Sequence, residues 1–246
     1  MKVNTFIVGA PKAGTTSLHD YLNHHPDVSM SSIKEPNFFS SNEVESLYYN
    51  SSPISNVNDY HQLFNLDKKV IGEASVSYLF YEEVPRRIYE YNSDAKIIIM
   101  LRNPIHRAHS HYLMDARLGF CNSSIEYIFS EPERFPQFFQ QFFELGLYTE
   151  QINKFLLTFK KENILILFYE DLEKDTKSVV EEAYRFLGLE KMDFDIHREN
   201  TFLGARNNFI SILYKQKLLR KIANILFNKL LVRKIKKVLF NKKKKP

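Results

Sequence analysis

Short apolar runs alternate along this chain with longer stretches whose apolar residues recur every three to four positions. The first pattern suits strands buried on both faces, the second amphipathic helices, and their alternation predicts a parallel sheet covered by helices. Strands are expected at residues 3–8, 28–30, 69–71, 96–101 and 164–168. A first helix is expected at 15–24, with Leu18, Tyr21 and Leu22 on one face and Pro26 just past its end. Others are expected at 85–91, from Pro104 onward, at 148–160, and at 176–187, where Gly188 ends the last. Residues 40–58, rich in Ser and Asn, read as a surface loop. The Phe-rich stretch 129–143 either covers a cleft or packs beneath it.

Composition narrows this picture only a little. A length of 246 residues suits one α/β domain with a C-terminal extension. A hydrophobic fraction of 44% excludes a disordered chain. One cysteine, Cys121, excludes a disulfide framework and a cysteine-rich zinc site, and fits a reducing compartment. The first apolar run is too short for a membrane span and lacks the layout of a secretory signal, so a cytoplasmic location is expected.

Charge changes it more. The net +5 divides unevenly: residues 209–246 hold 13 Lys and Arg with no Asp or Glu, whereas residues 1–208 hold 21 basic against 29 acidic side chains. Two units are therefore expected, an acidic body at 1–208 and a basic tail at 209–246. In the tail Leu219, Ile222, Leu226 and Leu230 recur at helical spacing among Lys and Arg, the pattern of a basic amphipathic helix. Three uses stay open: packing on the body, peripheral contact with an anionic membrane, or binding of polyanions. Nucleic acid is disfavoured, since aromatic residues are sparse in the tail and the body is acidic.

The candidate chemistry begins at the first predicted strand. It runs into Gly9-Ala-Pro-Lys12-Ala13-Gly14-Thr15-Thr16-Ser17 and then a helix. Glycines let backbone N–H groups approach an anion, the helix N-terminus adds positive potential, and Lys12 adds a full charge. Gly9 and Gly14 fit the Walker A spacing, but Thr15 follows Gly14 where a nucleotide kinase has its lysine, and the lysine is displaced to Lys12. A second motif follows the strand 96–101. Arg102 emerges at its carboxyl end, where open α/β sheets bind ligands, and Ser110 lies about two helical turns further on. A guanidinium fork suits phosphate. His106, His109 and His111 fall on different sides of a helix, so no metal site is expected.

These two motifs, in this order, resemble those of sulfotransferases that use 3′-phosphoadenosine 5′-phosphosulfate (PAPS). The resemblance covers most of residues 3–208 and is nearest to carbohydrate enzymes of the heparan sulfate type and to bacterial relatives. It implies a P-loop NTPase-like three-layer α/β fold with a central parallel sheet, and PAPS as co-substrate without a metal. By that resemblance Lys12 contacts the 5′ group and stabilises the bridging oxygen as sulfate leaves. Ala13, Gly14, Thr15, Thr16 and Ser17 cradle the 5′-phosphate, and Arg102 and Ser110 hold the 3′-phosphate. Arg206, with Arg198 as a rival, resembles a late basic loop that closes over the nucleotide.

On the acceptor side, Lys34-Glu35-Pro-Asn-Phe-Phe39 resembles the segment that carries the family's catalytic glutamate, which makes Glu35 the expected general base. Lys34 either holds Glu35 ionised or faces the sulfate. His24 and His25 beside Pro26 read as turn residues. In Gly72-Glu73-Ala74-Ser75-Val-Ser-Tyr78, Glu73 is a secondary acid/base candidate, and Ser75 and Tyr78 are expected to face the acceptor. Ala74 stands where the animal heparan enzymes carry lysine, which favours a bacterial-type relative. Glu170 and Asp171 follow a strand as a Walker B acid would, but a structural role is expected of them. The function implied is transfer of the sulfuryl group to a hydroxyl or amine of a carbohydrate or glycolipid. An NTP-dependent kinase and a membrane- or polyanion-binding protein with a degenerate site are the alternatives.

Overall fold

A computed structural model of the chain describes residues 2–49, 52–194, 203–205 and 240–242. Five strands form one sheet: β1 (Thr5–Gly9), β2 (Val28–Met30), β3 (Val70–Ala74), β4 (Lys96–Leu101) and β5 (Ile164–Phe168). Their order is β2-β3-β1-β4-β5, and every pairing is parallel. The helices are α1 (Thr15–Asn23), α2 (Ser41–Glu45), α3 (Val57–His61), α4 (Val84–Tyr91), α5 (Pro104–Leu118), α6 (Ile125–Ser130), α7 (Pro136–Phe142), α8 (Tyr148–Thr158), α9 (Tyr169–Lys174) and α10 (Thr176–Phe186).

β1 sits at the centre and every one of its residues is buried. That is why it reads as a continuous apolar run: a strand between two neighbours and under helices on both faces has no polar side to show. The connection from β1 leads toward β2 and those from β3 and β4 lead the other way. Right-handed crossovers in opposite directions place their helices on opposite faces. Accordingly α1 packs against α10, and α4 against α8. Burial of Phe6, Ile7, Leu18, Leu22, Ile71, Ile88, Ile97, Ile98, Ile99 and Phe155 joins the three layers into one core.

Two expectations change. Residues 40–58 are not simply a surface loop. They contain α2 and the start of α3, where the Asn56 side chain caps the amides of Asn58 and Asp59. Burial of Val44 and Tyr60 stabilises both short helices, a tertiary effect that local composition does not reveal. The Phe-rich stretch packs against α5 as a satellite cluster, with Cys121, Ile128 and Phe142 buried at its centre. In the tail, Phe240–Lys242 forms a strand, β7, rather than part of a helix, and it pairs antiparallel with β6 (Leu203–Ala205). Backbone pairing with Leu203–Ala205, absent from any local pattern, selects the extended form there. The rest of the predicted tail helix lies outside the described residues.

Candidate active site

The carboxyl ends of β1, β3 and β4 carry the candidate residues. β1 and β4 are adjacent, and the chain leaves them in opposite directions, which opens the crevice where ligands of doubly wound sheets bind. Lys12 follows β1, Arg102 follows β4, and Glu35 is tied to the end of β3 by its backbone N–H, 3.0 Å from the carbonyl of Ala74.

The loop after β1 is built to leave amides free. Gly14 caps α1 at φ 85°, no side chain among the described residues caps the helix's first N–H groups, and no acidic residue stands in its first turn. The amides of Thr15, Thr16 and Ser17 are thus aimed outward with the positive end of the helix behind them. Lys12 adopts φ 67°, a left-handed conformation that costs a non-glycine residue about 1–3 kcal/mol and turns the chain sharply. A Cβ on Gly14 would lie 2.9 Å from Leu172 Cδ2 and 3.0 Å from Tyr169 Cδ2, so only glycine keeps α9 this close.

Arg102 reinforces the loop from the other side. Its Nη1 donates to the carbonyl of Lys12 at 3.0 Å, its guanidinium lies 4.2 Å from the centre of the Tyr169 ring, and its buried Nε has no partner among the described residues. A buried guanidinium N–H without an acceptor fits a group that waits for an anion. Asn103 caps α5 by accepting from Ile105 and His106 N–H, and Pro104 occupies the first turn, where its missing N–H costs nothing. Glu170 accepts the Asn103 amide at 3.0 Å, a structural task. Ser110 is half-buried on α5. The residues present thus fit a nucleotide bearing two phosphate groups.

Lys12 lies between charges of both signs. Burial lowers the pKa of its ammonium below the usual lysine value; Arg117 and Arg102 lower it further, while Asp115 and Glu35 raise it. Its Nζ approaches the Met114 thioether at 3.4 Å, a weak partner for a full charge. Glu35 is exposed, 42% for its side chain, and its Oε1 lies 2.6 Å from Lys34 Nζ. Of the two roles open to Lys34, the structure shows the pairing with Glu35.

Glu73 is placed differently from expectation. It is fully buried and accepts from Tyr60 Oη at 2.6 Å, Ser75 Oγ at 2.6 Å and Tyr78 Oη at 2.9 Å. Burial pushes its carboxyl up, the three hydroxyl hydrogen bonds pull it back, and the balance is about 7. Ser75 and Tyr78 were expected to face the acceptor; both are buried and spend their hydroxyl protons on Glu73. β3 is buried along its whole length, and the burial continues past its end to Ser75 and Tyr78. Enclosed in this way, Glu73 meets protein hydroxyls rather than the open crevice.

His24 and His25 are turn residues: His24 Nδ1 lies 2.5 Å from the Asp20 carbonyl, and His25 bridges the Asp27 amide and the Glu190 carbonyl. His106 and His109 are exposed while His111 is buried, so the three diverge around α5. Arg206 and Arg198 lie outside the described residues.

One polar group near the site belongs to no sequence motif. Arg107, His111 and Asp115 form a buried polar ladder on α5. Asp115 Oδ2 accepts from both Tyr48 and Tyr49, the Tyr49 hydroxyl also meets His111 Nε2 at 2.7 Å, and the buried Asp115 Oδ1 has no partner among the described residues. The i, i+4, i+8 spacing of the three was the available signal. The tyrosine partners, some sixty residues away in the chain, left none.

Three comparisons bear on this arrangement. The family model of the sulfotransferase domain matches residues 2–222. Carbohydrate sulfotransferase 15 of Mus musculus is 28% identical over an alignment covering 75% of this chain and 43% of that protein. Heparan sulfate glucosamine 3-O-sulfotransferase 6 of Homo sapiens is also 28% identical, covering 78% and 54%. The chain thus spans about half the length of these curated relatives. Among solved structures, a sulfotransferase from Alicyclobacillus acidocaldarius superposes with a TM-score of 0.69 at 30% identity, covering 89% of this chain and 96% of that one. A mouse sulfotransferase complexed with PAP shares the fold, with a TM-score of 0.53 at 20% identity, covering 77% and 59%.

Proposed function

The chain belongs to the sulfotransferase domain family, and from that premise we propose that it moves the sulfuryl group of PAPS to a hydroxyl or amine of a carbohydrate or glycolipid, releasing adenosine 3′,5′-bisphosphate. The observation that carries this reading is the convergence on one crevice of the uncapped α1 N-terminus, Lys12 and Arg102, whose buried Nε has no partner among the described residues. Those groups suit a donor with phosphates at both ends of its ribose. A carbohydrate acceptor is supported by what the curated relatives' names say of those proteins.

Each residue then has a task. The amides from Gly14 to Ser17 bind the 5′-phosphate, the Ala13 amide being turned to the Ala10 carbonyl, and Arg102 with Ser110 binds the 3′-phosphate. The Lys12 ammonium neutralises negative charge growing on the bridging oxygen. The Glu35 carboxylate takes the proton of the acceptor group, and its exposure lets an acceptor reach it. Lys34 keeps Glu35 oriented in the free protein.

Nucleotide melting shifts test the donor. Adenosine 3′,5′-bisphosphate at about 100 times its Kd stabilises by roughly 2.7 kcal/mol, which raises the Tm of a chain this size by about 5–10 °C. That shift is expected without Mg²⁺. A shift seen only with ATP and Mg²⁺ would favour the kinase instead, and bisphosphate binding without turnover on a broad glycan panel would indicate a degenerate site.

No helix among the described residues is long and apolar enough to cross a membrane. Peripheral contact through the tail is a second proposal, favoured by its 13 basic and no acidic residues. At roughly 1 kcal/mol per cation near an anionic bilayer, even part of this charge suffices for attachment. The full chain is expected to float with anionic liposomes and a chain ending at Asn208 to sediment; flotation of both removes the tail as the anchor.

A further inference from the structure

We propose that Glu73 is a positioning residue: its buried carboxylate, acting through the hydroxyls of Ser75 and Tyr78, clamps the turn that carries Glu35. The inference rests on the reading of Glu35 as the base. It assigns Glu73 a task beyond any contact with donor or acceptor.

The turn has an unusual backbone. Glu35 has φ 61° and Asn37 φ 52°, two non-glycine residues in the left-handed region within three positions. Such conformations persist only where the surroundings over-determine them. The surroundings here come from the carboxyl end of β3 and the residues just after it. The Ala74 carbonyl takes the Glu35 amide at 3.0 Å. Ser75 Oγ takes the Asn37 amide at 3.0 Å, and Tyr78 Oη takes the Phe39 amide at 3.2 Å. Ser77 Oγ donates to Asn37 Oδ1 at 2.7 Å, and Asn37 Nδ2 donates to the Glu35 carbonyl at 2.9 Å.

A hydroxyl can accept from an amide only when its single proton points elsewhere. Both relay hydroxyls point theirs at Glu73, Ser75 at Oε2 and Tyr78 at Oε1. Once ionised, above about pH 7, the carboxyl only accepts, so it fixes the polarity of both relays at once. Tyr60 supplies the third donor from α3 and leaves Glu73 no reason to reorient. Glu73→Gln has nearly the same volume, yet its NH₂ group would face a hydroxyl proton. The relay facing that NH₂ group would lose the acceptor that fixes its proton, so it would hold its backbone amide less firmly and the Glu35 turn would lose part of its frame.

The experiment uses the full chain carrying Glu73→Gln, with Ser75→Ala and Tyr78→Phe as single-relay variants and Ser75→Thr as the conservative control. Three quantities are read: bisphosphate-binding stoichiometry, amide hydrogen exchange at Asn37 and Phe39, and transfer of labelled sulfate from PAPS to glucosamine-containing oligosaccharides. For Glu73→Gln the stoichiometry is expected to stay at one, showing a folded nucleotide site. Exchange at Asn37 or Phe39 should speed up on the order of tenfold, and kcat should fall about 10–100-fold as the base drifts from its line of attack. Ser75→Ala should release Asn37 alone and Tyr78→Phe should release Phe39 alone, which keeps the idea testable if Glu73→Gln does not fold. Ser75→Thr should retain both protection and rate. Unchanged exchange in the single-relay variants overturns the clamp, whatever the rates. Faster exchange with an unchanged kcat overturns the positioning role. Full activity of Glu35→Gln would instead remove the base on which the role rests, while the exchange result still judges the clamp.

Discussion

Glu35→Gln should lower kcat by about 10²–10⁴-fold, the usual contribution of a positioned general base. Glutamine keeps the length, the planarity and an oxygen for Lys34, so the substitution removes little except the ability to take a proton. The side chain is well exposed and its ion pair with Lys34 is a surface pair, worth at most about 1 kcal/mol. The melting temperature and the affinity for adenosine 3′,5′-bisphosphate should therefore stay close to those of the unmodified protein. Rate and binding need to be measured on the same preparation, because the prediction is a split between them. Near-normal transfer by Glu35→Gln would show that the proton leaves by another route.

Lys12→Ala should lower kcat and kcat/KM together by about 10²–10³-fold, or roughly 2.7–4 kcal/mol, the loss expected for one preorganised donor to developing charge. The fold should survive, because the backbone around Lys12 is held independently of the ammonium: Arg102 binds its carbonyl, and the Ala13 amide bonds to the Ala10 carbonyl. The same residue sets an alkaline limit. Burial, then Arg117 and Arg102, move the Lys12 pKa below 10.5, against the opposing pull of Asp115 and Glu35. The useful form is the cation, which is lost as pH rises through that lowered value. In the free enzyme kcat/KM should thus begin to fall on the alkaline side below pH 10.5. Lys12→Arg, always charged, should flatten that limb even at a reduced rate. An alkaline limb that persists unchanged in Lys12→Arg would assign it to another group.

The two largest expected effects thus fall on residues visible in the sequence, whereas the framework beneath them was not visible. Lys12 stood out because a lysine displaced within a glycine loop, between an apolar run and a helix, is a local pattern. Arg102 stood out for the same kind of reason, since β4 is uninterrupted and Pro104 marks a helix start. Such signals survive in one dimension because strand, turn and helix N-terminus are each encoded within about ten residues. Glu73 was legible as an acid but not as a buried one. Its burial depends on Tyr60 from α3 and on the Glu35 turn folding over the end of β3. The Asp115 ladder was half legible: its i, i+4, i+8 spacing lies in the sequence, but Tyr48 and Tyr49 reach it from a region that local composition describes as a loop.

Residue order alone settled the alternation of strand and helix and placed the glycine loop after β1 and the basic motif after β4, because hydrophobic periodicity and glycine and proline placement are local physics. The three-dimensional fold settled the rest. It set the strand order that opens the crevice between β1 and β4, put Glu35 at the end of β3, and made Glu73 a buried hub rather than an acid in the cleft. These depend on which distant segments share a desolvated space, and the energy of a carboxylate changes more with that space than with any neighbour in sequence.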